Sequence, residues 1–320
     1  MRRLVPVVLA FAFLPAGAGA QSDGGTIWAF VSVADGTRVA VVNVDGERVV
    51  GSVSVPPGSR EVAATLDGRR VLAVSPSSRT VTQFDGVART VTRTFHGFGR
   101  PTAIVLAPAG SIGFTHSRFA YVTDEARGLL DVLDLTRGVV AARVDVGPRP
   151  TRVVLVNGHL WVAHRESTRL TVLDASTAAH PVVVDHANAG GPVSDLIGSG
   201  DELSIVVSYR NSRLLGRIGS VSARLVERRS SGTIVRQIAL DPLRRLWVVP
   251  ARGGRATILS LRLRRLGHVT VPASPTALVS VGGFMALAGR GQLVLIAVGT
   301  PSRRAIPVGA GTGGVAFAIR

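Results

Sequence analysis

The chain has 320 residues, 46% hydrophobic and 18% charged, the balance of a folded globular protein large enough to bury a core without staples. It holds no cysteine, so disulfides, metal–thiolate centres and thiol catalysis are excluded together. The net charge is +17 and all 37 basic residues are arginine, a bias that GC-rich codon usage explains without selection at each site.

Residues 1–20 read as a secretory signal. Arg2 and Arg3 form the positive start, Leu4 to Leu14 the apolar stretch, and Ala18-Gly19-Ala20 a small-residue cleavage site ahead of Gln21. The apolar stretch is far shorter than the ~20 residues that cross a bilayer, and Pro15 breaks any helix before the cleavage point. The expected product is an exported chain of residues 21–320 carrying +15, found outside the cell, in a periplasm or on the cell surface.

From Ile27 onward a phrase of short β-type runs recurs. Taking Trp28, Leu72, Tyr121, Trp161, Ile205, Trp247 and Ala286 as anchors, the intervals are 44, 49, 40, 44, 42 and 39 residues. Four runs in each interval match one propeller blade, and the drift suits loops of variable length.

After each anchor comes a second run, closed in the early units by Asn43, Asp85, Asp134 or Asp174. These residue types bond their own backbone and begin tight turns. Asp45-Gly46, Asp67-Gly68, Asp85-Gly86 and Asn157-Gly158 read as hairpin turns that accommodate positive φ. A third run follows, then a Gly/Pro-rich connection into a fourth, as at Gly97–Pro101, Gly147–Pro150, Gly190–Pro192 and Ala273–Pro275. Blades five to seven lose much of the turn-acid signature, and register is least defined there.

The third unit is the clearest: Tyr121-Val122-Thr123-Asp124, then Asp131-Val132-Leu133-Asp134, Val146-Gly147 and Pro150. In these residues the chain resembles the YVTN family of β-propeller repeat proteins, with Asp124 where the family's name has asparagine. The runs from Trp161 to His164 and from Trp247 to Pro250 depart from that phrase. The resemblance implies exported, scaffold-like propellers of four-stranded sheets with no fixed catalytic set.

The expected fold is all-β, a single seven-bladed propeller of four-stranded antiparallel blades. The first unit begins at its anchor strand with no preceding partner, whereas the chain ends in one spare strand, Val315–Ile319. That strand is expected to complete the first blade and close the ring.

In such a ring the fourth run lies nearest the axis and alternate side chains face the channel. Aligning these runs puts Glu61, Ala103, Arg152, Ser194, Gln237, Ala277 and Gly314 at one mouth. Two residues deeper stand Ala63, Val105, Val154, Leu196, Ala239, Val279 and Ala316, a wholly apolar ring. Glu61, Arg152, Ser194 and Gln237 are therefore the candidate axial contacts. Glu61 and Arg152 would either clamp a small polar ligand or pair with each other.

Nothing else suggests chemistry. His96, His116, His159, His164, His180, His186 and His268 fall at different repeat positions, and His180 with Asp185-His186 lacks metal-site spacing. No serine sits in a nucleophile elbow, with Ser199 read as part of a turn, and no glycine-rich loop precedes a helix. No metal, cofactor or catalytic residue is expected.

Charge supplies the remaining clue. Residues 202–265 hold fourteen arginines against Glu202, Glu227 and Asp241, a net of +11. Either this is a solvated surface from a biased genome, or it attracts an anionic partner. The leading reading is an exported, monomeric, non-enzymatic binding or scaffold propeller. Its anionic face would include Arg244, Arg245, Arg262, Arg264 and Arg265 on blades five and six. The partner would be an envelope polymer, a lipid surface or an acidic protein. Two tyrosines and three tryptophans are too few for a stacking platform, and export argues against nucleic acid. The alternatives are a propeller enzyme of the lactonase or lyase kind, working at the axis, and a structural surface-layer component.

Overall fold

Asp134 ends its strand by accepting hydrogen bonds on Oδ1 from the backbone N–H of Thr136 and Arg137, at 3.0 and 2.9 Å. Asp85 does the same for Val87 and Ala88, Asp174 for Ser176 and Asn43 for Gly46. The side chains that close the second run of each early unit thus fold the chain back into the third. Asn157 and Gly158 are both left-handed, with φ of 49° and 73°, as a two-residue hairpin requires. At Asp45-Gly46 and Asp85-Gly86 the left-handed residue is instead Glu47 or Arg89, because the aspartate-capped turn is longer than two residues.

Repeated around the chain, these turns generate the computed structural model, which describes residues 26–107, 117–272, 275–300 and 302–319. The signal read at residues 1–20, together with His116, lies outside them. Seven four-stranded antiparallel sheets stand in a ring, with no α-helix among the described residues. Blade one contains β1 (Ile27–Val33), β2 (Arg38–Asn43), β3 (Arg48–Ser54) and the last strand, β28 (Val315–Ile319), in the order β28-β1-β2-β3. The other six blades are each built from four consecutive strands. Their inner strands are β4 (Glu61–Ala64), β8 (Pro101–Leu106), β12 (Pro150–Val156), β16 (Val193–Gly198), β20 (Val235–Leu240) and β24 (Ala277–Val281). Each inner strand touches the next, and β24 returns to β28, so the ring is closed.

Seven apolar cores fill the seven seams. Tyr121 packs with Leu160 and Val162 between blades three and four, Trp161 with Ile205 and Val207 between four and five, and Trp247 with Met285 and Leu287 between six and seven. The anchor of each blade therefore faces the following blade. Trp28 and Phe30 both face blade two, but Phe30 is the one opposite Ala316, as Leu72 is opposite Ala63 and Trp161 opposite Val154. In blade five Val206 lies in the seam with blade six, and Phe30 and Val206 are therefore the anchors. The sequence reading of Trp28 and Ile205 is out by two residues and one. Each run is mostly apolar and buried on both sides, so composition alone does not distinguish its two faces.

In blades two to five the last residue of the anchor strand ties down the connection into its blade, using whatever chemistry it carries. The Ser75 hydroxyl donates to Pro56 O and the Tyr209 hydroxyl to Ala189 O. Asp124 accepts from Gly99 N and Arg100 N. Buried His164 bonds Pro148 O through Nδ1 and Thr171 Oγ1 through Nε2, at 2.9 Å each.

Candidate functional site

The inner strands start at one face of the ring, and the position that points to the axis is set by a backbone irregularity after the first residue. Pro150 pairs with His164, and Arg152 with Ala163. In blade five Val193 pairs with Tyr209, and Asp195 with Ser208. In blade six Val235 pairs with Pro250, and Gln237 with Val249. Asp195 is therefore the counterpart of Arg152 and Gln237, and the sequence alignment of Ser194 with them is corrected by one residue. The prolines mislead: Val193, not Pro192, takes the place of Pro150. Ser194 instead meets the Ser208 hydroxyl at 2.8 Å, as Thr102 meets Thr123 at 2.9 Å. Beneath Asp195 the next channel position belongs to Ile197 in place of Leu196, so the deeper ring stays apolar.

The mouth thus carries Glu61, Ala103, Arg152, Asp195, Gln237, Ala277 and Gly314. Arg152 Nε lies 3.5 Å from Asp195 Oδ1. Asp195 also accepts from Leu196 N on Oδ1 and from Ile238 N of blade six on Oδ2, both at 3.1 Å. Gln237 Nε2 donates to Thr276 O at 3.1 Å, which leaves its Oε1 buried and without a partner. On the far side, Thr102 Oγ1 donates to Pro150 O and Ser32 Oγ to Ser59 O. Most of these groups lace one blade to the next.

Glu61 is the exception. No hydrogen bond or ion pair among the described residues engages its carboxylate. Its pKa is nonetheless raised, by burial first, with Arg152 opposing and Asp195 adding to the rise. Asp195 is raised too, by burial, against the lowering from Arg152 and the two backbone N–H groups. Glu61 belongs to blade two, Arg152 to blade four and Asp195 to blade five, so their mutual influence means that all three reach into the central channel.

The arginines singled out from sequence gather at the opposite face, where inner strands end. Arg244 and Arg245 lie in the turn after β20, while Arg262 and Arg264 lie in the turn before β23 (Arg265–Thr270), which Arg265 begins. Arg244, Arg262, Arg264 and Arg265 are exposed. Arg245 is committed internally: its Nε donates to Asp241 Oδ2 at 2.7 Å, beside the Trp247 indole N–H at 3.0 Å on the same oxygen. Asp241 is the only acidic residue between 235 and 270 and is itself buried. Sequence reasoning missed the apolar component. On the same face Leu203 is 69% exposed, Val221 83% and Leu243 49%, each at the tip of a turn. The Leu203 and Val221 turns are joined by Ser220 N donating to Leu203 O.

The histidines do not assemble. Asp185 and His186 lie exposed on an outer strand, and among the described residues no group of three or more His, Asp or Glu could hold a metal ion. Ser199 bonds Asp201 and receives Ser204 N, the contacts of a turn.

No protein-family model matches the chain, and no curated protein does. Solved structures do. A protein of unknown function from Desulfotomaculum acetoxidans superposes with a TM-score of 0.75 at 10% identity, covering 91% of this chain and 98% of its own. Apo AztD from Citrobacter koseri gives 0.69 at 12%, covering 93% and 99%. The dihydro-heme d1 dehydrogenase NirN, solved in complex with DHE, gives 0.65 at 16%, covering 91% of this chain and 66% of NirN. At such identities the likeness is one of fold, and this chain is a seven-bladed β-propeller.

Proposed function

We propose that this chain is an exported binding propeller that docks on an anionic lipid surface of the cell envelope through the turn ends of blades five and six. The observation that carries the reading is the mixture of chemistry there. Exposed Leu203, Val221 and Leu243 share one face with exposed Arg224, Arg244, Arg262 and Arg264. Apolar tips that enter the headgroup region and guanidinium groups that pair with phosphates are the two components of interfacial binding. Export rests on the segment 1–20, and kinship with the YVTN repeat proteins rests on the third unit.

Flotation with vesicles of pure phosphatidylcholine and of phosphatidylcholine with phosphatidylglycerol tests it. Binding is expected only to the anionic vesicles, falling steeply once the Debye length drops below ~8 Å near physiological salt. Leu203→Ser with Val221→Ser should weaken it, as should Arg262→Gln with Arg264→Gln. Binding to soluble anionic polymer with no vesicle binding would replace the lipid surface with an envelope polymer. Salt-independent binding would defeat the arginine face altogether.

The convergence of Glu61 and Asp195 at the axis favours a second reading, a ring enzyme of the lactonase or lyase kind. Turnover of a lactone panel that is lost in Glu61→Ala and Arg152→Ala would establish it.

A further inference from the structure

The groups at the axial mouth differ in how they are satisfied. Arg152 is spent on Asp195 and on the carbonyl of Thr151, to which its Nη1 donates at 3.1 Å. Glu61 and Gln237 Oε1 remain as acceptors without donors. A buried acceptor left unpaired costs about 1–3 kcal/mol, so Gln237 Oε1, together with the half-buried Glu61 carboxylate that lacks a donor, makes the site complementary to a molecule bearing N–H donors. Formal charge points the same way: Glu61, Arg152 and Asp195 sum to −1, and Ala103, Gln237, Ala277 and Gly314 on the remaining inner strands add nothing titratable. Below this level the floor is Ala63, Val105, Val154, Ile197, Ala239, Val279 and Ala316, which accepts an aliphatic body and offers it no polar partner.

We propose that the axial mouth binds a small organic cation, a primary ammonium or guanidinium on a short aliphatic chain. Glu61, Asp195 and Gln237 Oε1 receive its N–H groups, and its hydrocarbon rests on the apolar floor. Arg152 acts as the internal competitor for Asp195. Glu61 is neutralised more readily than a free carboxyl in the empty site, so binding of the cation releases a proton to solvent, and affinity rises with pH.

Titration calorimetry with butylammonium and butylguanidinium, against butyrate as the anionic control, tests the site. Saturable binding of a cation is expected, tighter near pH 8.5 than at acid pH where Glu61 is protonated, with proton release on the acid side read from buffers of different ionisation enthalpy. Glu61→Gln should weaken binding about tenfold and flatten the pH dependence, while Arg152→Met, which frees Asp195, should tighten it several-fold. Gln237→Leu gives a second, independent loss, and the melting temperature of each variant reports that the ring is intact. No saturable heat from either cation near pH 8.5, binding indifferent to Glu61→Gln, or butyrate binding that disappears in Arg152→Met would each overturn the proposal.

Discussion

Phe30 and Ala316 face each other across the ladder that closes the ring, the first strand of the chain paired with the last. The register runs from Ile27 opposite Ile319 to Val31 opposite Val315, and Ser32 N donates to Gly314 O beyond it. Removing everything after Gly313 strips β1 of its inner neighbour and leaves β4 and β24 without the strand between them. At about 1 kcal/mol for each lost ladder bond, plus the apolar burial of Val315, Ala316 and Ala318, the cost is at least ~5 kcal/mol. A truncated protein is expected to melt ten degrees or so lower and to aggregate through the exposed edge of β1. Calorimetry and light scattering read both, and unchanged melting would refute closure by β28.

Gly314 is held to glycine by contact, not by dihedral angle. A β-carbon there would stand 2.7 Å from Arg60 O, 2.8 Å from Glu61 Cα and 2.9 Å from Val62 N, all backbone of the next blade. Gly314→Ala must push β28 and β4 apart, a strain of order 1–3 kcal/mol, and Gly314→Val more. Gly267→Ala is the control, since nothing lies within 4 Å of its β-carbon. Thermal denaturation should separate the two alanine variants by several degrees, and it should also disturb Glu61, whose Cα the new methyl meets.

The ring itself was legible because its information is local and repeated. Asn43, Asp85, Asp134 and Asp174 announce their turns by a hydrogen bond to the next few residues, and the spare strand at the end of the chain announces its partner by elimination. The register of the axial site was not legible. Whether Ser194 or Asp195 reaches the channel depends on where one irregularity falls in β16, and Pro192 gave an alignment cue that the strand does not follow. The anchors Phe30 and Val206 were hidden for a related reason, since runs such as Ile27–Val33 bury both faces. The apolar tips beside the arginines lie far apart in sequence, and only the meeting of adjacent turns makes them a surface.

Asp131 lies fully buried, with Oδ1 accepting from Arg143 Nε at 2.9 Å and Oδ2 without a partner. Burial pushes its pKa up to about 6, against the lowering by Arg143. A carboxyl whose folded pKa is raised above its unfolded value weakens the fold fully above about 6, and the penalty declines as pH falls from there and is gone below the unfolded value of ~3.9. Asp131→Asn, a neutral isostere, is therefore expected to raise stability by ~1–2 kcal/mol near pH 8 and to match the parent only at a pH below the unfolded carboxyl value of ~3.9. Chemical denaturation at the two pH values checks it. Equal effects at both would mean that Asp131 does not titrate in this range.

Glu125 should show the opposite dependence. It is nearly buried, paired through both oxygens with Arg165, and approached by Arg100 at 3.6 Å and Arg149 at 3.7 Å. Burial raises its pKa, but the Arg165 hydrogen bonds and the three positive charges outweigh it and hold the carboxyl below its ordinary range. Such a group stabilises the fold above its unfolded pKa of ~4.3, and that contribution is lost as pH falls through the lower folded value. Glu125→Gln leaves Arg165 facing an amide and returns Arg100 and Arg149 to mutual repulsion. A loss of ~2–3 kcal/mol is expected near pH 7, discounted because the arginines are partly solvated. The difference should begin to shrink as pH falls below the unfolded value of ~4.3 and should close only once the folded carboxyl is itself protonated. Raising salt should narrow the gap only slightly, because the carboxylate end of the pair is shielded from solvent. A variant that melts like the parent near pH 7 would show that the three arginines are held by blades three and four without their acid.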